Sequence, residues 1–361
     1  MICEANYHPN RKDFFIMSLV NKLSARLQNH PKRIVYPEGT DLRIIQAARQ
    51  FASKKLGVPI LIGDRDAIEH AASSIGIKLD GIKIITPAAS DDFQIINTLL
   101  CGLPKFRSFP PQELAKMAAN PNYFATLMLA TGRADAMVAG ATTTSSSALR
   151  PLFQIIPLQK GFRTASSMMI LPTGDVELGI DGDLFLADCG VIPEPTEEQL
   201  SEIAITTAIL VNHLTQQTPR VAMLCYSSKS QSAKLHSVLK MKSATSLAHE
   251  KAKTCPIQIE IDGELQVDAA LRPEVARLKG ISSSVAGRAN VLIFPDLNSG
   301  NIASKMIQVA SNINCYGQIL TGLTKPCAEI SRGATVNDIF GTSVLVAAQS
   351  VDRRFLSTES V

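Results

Sequence analysis

Near the end of the chain a hydroxyl, a guanidinium and a carboxylate fall within eight residues, as Ser331, Arg332 and Asp338. They follow Lys325-Pro326-Cys327-Ala328-Glu329-Ile330 and sit at a predicted loop-to-helix junction. An arginine fork matches a phosphate, a carboxylate accepts a proton, and a hydroxyl bonds to either. Thr335 with Asp338 three residues on also reads as a helix start, which an acid stabilises by roughly 0.3–1 kcal/mol. The two roles are compatible. None of the six His residues stands in a Gly-rich or motif-like segment, so the role of base falls to Asp338.

Three further segments carry chemistry. Gly140 to Ser147 follows an apolar strand and precedes Leu149-Arg150-Pro151. Hydroxyls such as Ser145 and Ser146 at a helix N-terminus form an anion site, with Arg150 adding charge. The same residues also read as a plain helix cap with an exposed Arg. Asp262-Gly263-Glu264 with Asp268 sets three carboxylates in seven residues. That pattern fits a metal site, or a turn after a strand over 257–261 that leads into a helix through Asp268 and Ala269. Asn298, Ser299, Gly300 and Asn301 follow the apolar strand 291–294, at the end where ligands collect, and Gly300 permits close approach. A well-made turn is the alternative there.

Positioning these groups falls to alternating strands and helices. Strands are predicted over 33–36, 59–62, 82–85, 134–138, 221–225, 291–294 and 318–319. Helical spacing marks Leu42, Ile45, Ala48 and Ala52 after Asp41, and Thr196 caps a helix to about 214. A last helix runs over 337–349, and 164–188 reads as a β-rich excursion. The alternation predicts parallel sheet covered by helices. A boundary near 156, with a return after 318, gives a first domain of 17–156 plus 319–361 and a second of 157–318. Residues 1–16 lack an apolar signal region and read as a flexible N-terminal extension ahead of a helix over 18–27.

At 361 residues the chain exceeds one comfortable core, which agrees with two domains. A net charge of +4 with dispersed basic residues, no Trp and five Tyr argues against nucleic acid. No run approaches the roughly 18 apolar residues of a membrane span. Seven scattered Cys without a C-x-x-C pair indicate a reducing, cytoplasmic setting. The fingerprints G-x-G-x-x-G, G-x-x-x-x-G-K-[ST] and H-E-x-x-H are all missing.

Taken in order, Asp262 to Ala270, Ser284 to Leu297 and Lys325 to Gly333 with Asp338 resemble the phosphate acetyltransferase family, which Phe294 to Ile302 also matches closely. That family exchanges acetyl between acetyl phosphate and coenzyme A. The resemblance runs over about 33–351 and is most specific in the last hundred residues. It implies an isocitrate/isopropylmalate dehydrogenase-like fold, two doubly wound α/β domains with an interdomain cleft. It implies Asp338 as base, Arg332 on the phosphate and Ser331 as a hydrogen-bonding partner of thiol or carbonyl. Arg150, Ser145, Ser146, Asn298, Gly300, Asn301 and Lys305 become contacts for coenzyme A or phosphate. Metal and cofactor are expected to be absent, the substrates are small molecules, and a homodimer is implied. An ordinary aspartate (about 3.9) and a thiol (about 8.5) are mismatched by about 6 kcal/mol, so proton transfer must be concerted with attack. No activated Cys or Ser–His pair suggests an acyl-enzyme.

The chain departs from the family at three places. Thr144 stands for a His, Pro104 for an Arg beside Lys105, and Val309 for an Arg. Val309 either faces the ligand or packs in a repurposed core. Each missing charged contact is worth about 1.5–3 kcal/mol. A butyryl-transferring sibling, a non-catalytic regulatory or assembly homologue, and a nicotinamide dehydrogenase of similar layout remain open.

Overall fold

The computed structural model describes residues 17–229 and 234–352, so the predicted extension 1–16 lies outside it. Short apolar strands cannot bury their edges alone, and here they pair into one sheet. Its first members are β1 (Lys32–Tyr36), β2 (Gly57–Ile62), β3 (Lys83–Ile85) and β4 (Ala136–Ala139). Then come β5 (Ser166–Pro172), β6 (Asp183–Ala187), β7 (Arg220–Leu224), β8 (Glu260–Leu265) and β9 (Val291–Ile293). The last are β10 (Tyr316–Thr321) and β11 (Cys327–Glu329). Among the described residues the order is β3-β2-β1-β4-β11-β10-β5-β6-β9-β7-β8.

The α/β class matches expectation, but the sheet is mixed rather than parallel. β10 runs antiparallel to both β11 and β5, and β5 to β6. Chain length between strands explains this. Only residues 322–326 join β10 to β11, and 173–182 join β5 to β6, too few for a helical crossover. The expected β-rich stretch 164–188 is this β5–β6 hairpin.

The predicted turn at 262–264 is instead the middle of β8. Asp262 and Gly263 pair in register with Ala222 and Met223 of β7. Asp262 is tolerated there because Lys229 forms an ion pair with it. Gly263 is required, since a Cβ would lie 2.5 Å from that of Met223. A short strand, β11, escaped the sequence reading because it spans three residues and carries Glu329.

The helix Val336–Gln349 packs against β4, β10 and the helices Leu19–Asn29 and Leu42–Ser53. Ile339, Val344, Leu345 and Val346 bury its apolar face. The buried Tyr36 hydroxyl donates to Ser343 Oγ at 2.8 Å, which ties β1 to this helix. The N-terminus of the helix is therefore rigidly placed at the end of β11.

Candidate active site

A cavity of about 1070 Å³ opens where the segments after β4, β6 and β11 meet the start of β10 and the helix Leu297–Ser311. Ser145, Asn301, Lys305, Ser331, Arg332 and Asp338, all singled out from sequence, line it. Ser146, Asn298, Arg150 and Gly300 do not. Arg150 is exposed on the helix Ser145–Ile155, where its charge acts on Tyr123. Gly300 is buried, and a Cβ there would stand 2.3 Å from the carbonyl oxygen of Asp188. Its small size thus serves packing between this helix and the chain after β6.

That chain is fixed by Asp188, whose carboxylate accepts from Ser167 Oγ at 2.5 Å, Gly190 N at 3.0 Å and Ile192 N at 2.8 Å. The Cys189 carbonyl then accepts from Asn301 Nδ2 at 3.0 Å and Gln318 Nε2 at 3.1 Å. Asn301 therefore braces the cavity wall while facing the cavity.

Asp338 is only 2% exposed. Its Oδ2 accepts from Thr335 N at 2.9 Å and Thr335 Oγ1 at 2.8 Å, and the Asp338 N–H returns a bond to Thr335 Oγ1. This is the reciprocal cap expected from Thr335 and Asp338. Oδ1 accepts from Cys315 N at 2.8 Å. A carboxylate offers about four acceptor positions. Three are taken, which leaves one on Oδ1 for a proton from the cavity.

Cys315 also lines the cavity, but burial first and the Asp338 charge second push its thiol up to about 12. It stays protonated at neutral pH and is a poor nucleophile. Arg332 is exposed, and its guanidinium forms no ion pair or hydrogen bond among the described residues.

Sequence reasoning missed the roles of Arg43, Glu38 and Glu329 here, and of Asp41 beyond its helix start. Asp41 caps the helix Leu42–Ser53 and binds Arg43 through both carboxylate oxygens, at 3.2 and 2.8 Å. Arg43 Nη1 donates to the carbonyls of Arg332 at 2.7 Å and Ala334 at 3.0 Å, and Nη2 to that of Ala141 at 2.8 Å. One guanidinium thus ties the loop after β11 to the loop after β4. The buried Glu38 accepts from Gly140 N at 2.9 Å and Thr143 Oγ1 at 2.8 Å. Glu329 accepts from Ser145 Oγ at 2.8 Å. The Ser/Thr-rich cap is therefore partly held by the protein's own carboxylates. The signals available were Glu38 beside Pro37 and Gly39, and Asp41 with Arg43 two residues on.

Two of the three carboxylates whose spacing fits a metal site pair with lysines, Asp262 with Lys229 and Asp268 with Lys279. Among the described residues no three His, Cys, Asp or Glu side chains gather as a ligand set.

Residues 18–347 match the family described as phosphate acetyl/butaryl transferase. The phosphate acetyltransferase of Acetivibrio thermocellus is 40% identical over 334 residues, 92% of this chain and 98% of that protein. Two solved phosphotransacetylases share the fold with 32% identity. That of Staphylococcus aureus superimposes with a TM-score of 0.82 over 92% of this chain and 98% of its own. That of Streptococcus pyogenes gives 0.82 over 93% and 99%. With its fold and almost its whole length in common with these proteins, the chain belongs to the phosphate acetyl/butaryl transferase family.

Proposed function

We propose that the chain is a phosphate acetyltransferase, which moves acetyl reversibly between acetyl phosphate and coenzyme A. The observation that carries this reading is the convergence of Ser331, Arg332 and Asp338 on one cavity in a chain of this family. The coenzyme A thiol gives its proton to the open position on Asp338 Oδ1 as its sulfur attacks the acetyl carbonyl. The bond from carbonyl carbon to phosphate oxygen then breaks, and phosphate leaves with the electron pair. Arg332 neutralises the leaving phosphate by charge-assisted hydrogen bonds, and Ser331 donates to the carbonyl oxygen. The high pKa of Cys315 supports direct attack without an acyl-enzyme. Neither metal nor cofactor enters these steps.

Ser145, Asn301 and Lys305 are the contacts with coenzyme A or phosphate that this reading retains on the wall. Ser146, Arg150, Asn298 and Gly300 join it only through the resemblance. A homodimer, a cytoplasmic setting and two domains split near 156 and 318 complete the proposal. The six free cysteines among the described residues support the cytoplasmic part. No described helix is long and apolar enough to cross a membrane. Rates with acetyl, propionyl and butyryl phosphate test the substrate. A faster butyryl reaction would make this a butyryltransferase, and no transfer by folded protein would favour the non-catalytic homologue.

Val309 lines the cavity and is 82% exposed in the single chain, which supports the ligand-facing reading of this position over the packed core. Val309→Arg is therefore expected to lower the Michaelis constant for coenzyme A by about tenfold, through one charge-assisted contact. Turnover and melting temperature should hold, because the contact serves ground and transition states alike. A fall in melting temperature without tighter binding would contradict this.

Arg43→Lys keeps the charge but cannot span the carbonyls of Ala141, Arg332 and Ala334 together. Turnover is expected to fall about tenfold as the loop loses its brace, with a smaller change in the Michaelis constants. Steady-state rates beside a melting curve check it. Unchanged turnover would show that the loop holds its shape unaided.

A further inference from the structure

Among the described residues two carboxyls, Asp338 and Glu329, line the cavity, and the reaction above uses only Asp338. Glu329 ends β11, two residues before Ser331. It is 6% exposed. Its Oε1 accepts the Ser145 hydroxyl at 2.8 Å, while Oε2 has no hydrogen-bond partner among the described residues. The side chain is also confined from behind. Gly140 has a φ of 108°, and a Cβ there would come within 3.1 Å of Glu329 Cγ and 2.5 Å of the Ile330 carbonyl oxygen.

The charges around Glu329 come from each packed segment. Glu38, after β1, is a like charge. Lys305, on the helix Leu297–Ser311, and Arg332, in the following loop, are opposite charges. Asp338 faces the same space from the helix Val336–Gln349. Burial is the largest influence and lifts the Glu329 carboxyl above its usual range, with the Ser145 bond pulling the other way. An anion entering the cavity adds more negative charge opposite a carboxyl oxygen that has no donor. Ionised, that oxygen repels a phosphate, whereas protonated it offers one an O–H donor.

We infer that Glu329 takes up a proton when a phosphate-bearing substrate enters the cavity, and that its Oε2–H then donates a hydrogen bond to a substrate oxygen. This rests on the reading of the cavity as a phosphate site. The protonated form binds, so affinity is full below the pKa of Glu329 in the empty protein. Above that pKa it weakens by up to about tenfold per pH unit.

Sulfate tests this, because it stays a dianion between about pH 5.5 and 8.5 and brings no proton of its own, unlike phosphate. Its binding is read as a rise in melting temperature, which needs no turnover. In the wild-type protein the sulfate-induced rise is expected to shrink as pH increases. In Glu329→Gln, whose amide donates at every pH, the rise should persist without that slope. Glu329→Asp should keep the slope with a smaller rise, which guards against reading a damaged fold as a lost proton. Sulfate's general stabilisation of folded proteins is common to all three and cancels in the comparison.

Equal slopes in wild type and Glu329→Gln would overturn the inference, because the proton would then lie elsewhere. A flat wild-type profile, or no sulfate effect at any pH, would also overturn it. Acetyl transfer is assayed separately. Normal transfer with a flat sulfate profile removes only the role of Glu329. A clear slope without acetyl transfer removes the enzymatic reading and leaves the proton-linked anion site.

Discussion

Asp338→Asn is expected to cut turnover by about 10²- to 10⁴-fold, the usual contribution of a positioned general base. The amide cannot take the thiol proton, so sulfur must attack without the concerted transfer. A stability loss of about 1–3 kcal/mol accompanies this, because a buried donor is left without its acceptor. The sequence alone suggests little loss, since Asn is acceptable at a helix start. The structure revises that expectation. The carboxylate receives the Cys315 N–H on one oxygen and the Thr335 N–H and hydroxyl on the other. An Asn side chain has one oxygen and one NH₂, so either orientation sets the NH₂ against a backbone N–H. Turnover must therefore be measured per folded molecule, beside a melting curve. Wild-type turnover in folded Asp338→Asn would remove this residue from the chemistry, whatever the melting temperature does.

The parts of this site that were legible in sequence share one property, which is that local spacing carries them. Ser331, Arg332 and Asp338 stay together because a short loop and a capped helix start hold them, and Thr335 with Asp338 announces that cap. The Thr196 cap and the helix it opens were legible for the same reason. What stayed hidden depends on contacts between distant residues. Arg43 reaches the carbonyl of Arg332, 289 residues away, and no spacing along the chain reports that. Glu38 and Glu329 lie in or beside strands, and only the loop after β4, folded over them, supplies their partners. Strand direction failed where connections were short, and the Asp262-Gly263-Glu264 run looked like a turn because its lysine partner lies 33 residues earlier. Residue type also misled. Gly300 suggested room for a ligand, but the space is filled by the backbone of Asp188.

Arg332→Lys is the second large effect, and it separates two kinds of electrostatic catalysis. Lysine keeps the positive charge but loses the planar fork that binds two phosphate oxygens at once. If Arg332 holds the leaving phosphate by paired hydrogen bonds, turnover should fall by about 10- to 100-fold, as one charge-assisted contact is lost. The fold should not respond. The Arg332 side chain is exposed and makes no ion pair or hydrogen bond among the described residues. The loop is instead held through its carbonyls by Arg43. A melting temperature equal to wild type is therefore part of the expected result, in contrast to Asp338→Asn. Partial activity with an unchanged Michaelis constant for coenzyme A would place the loss in the chemical step. Full activity in Arg332→Lys would mean that a diffuse positive charge suffices, and the phosphate would then need another directional donor. Lys305, exposed on the cavity wall from the helix Leu297–Ser311 and without an ion-pair partner among the described residues, is the residue to replace next in that case.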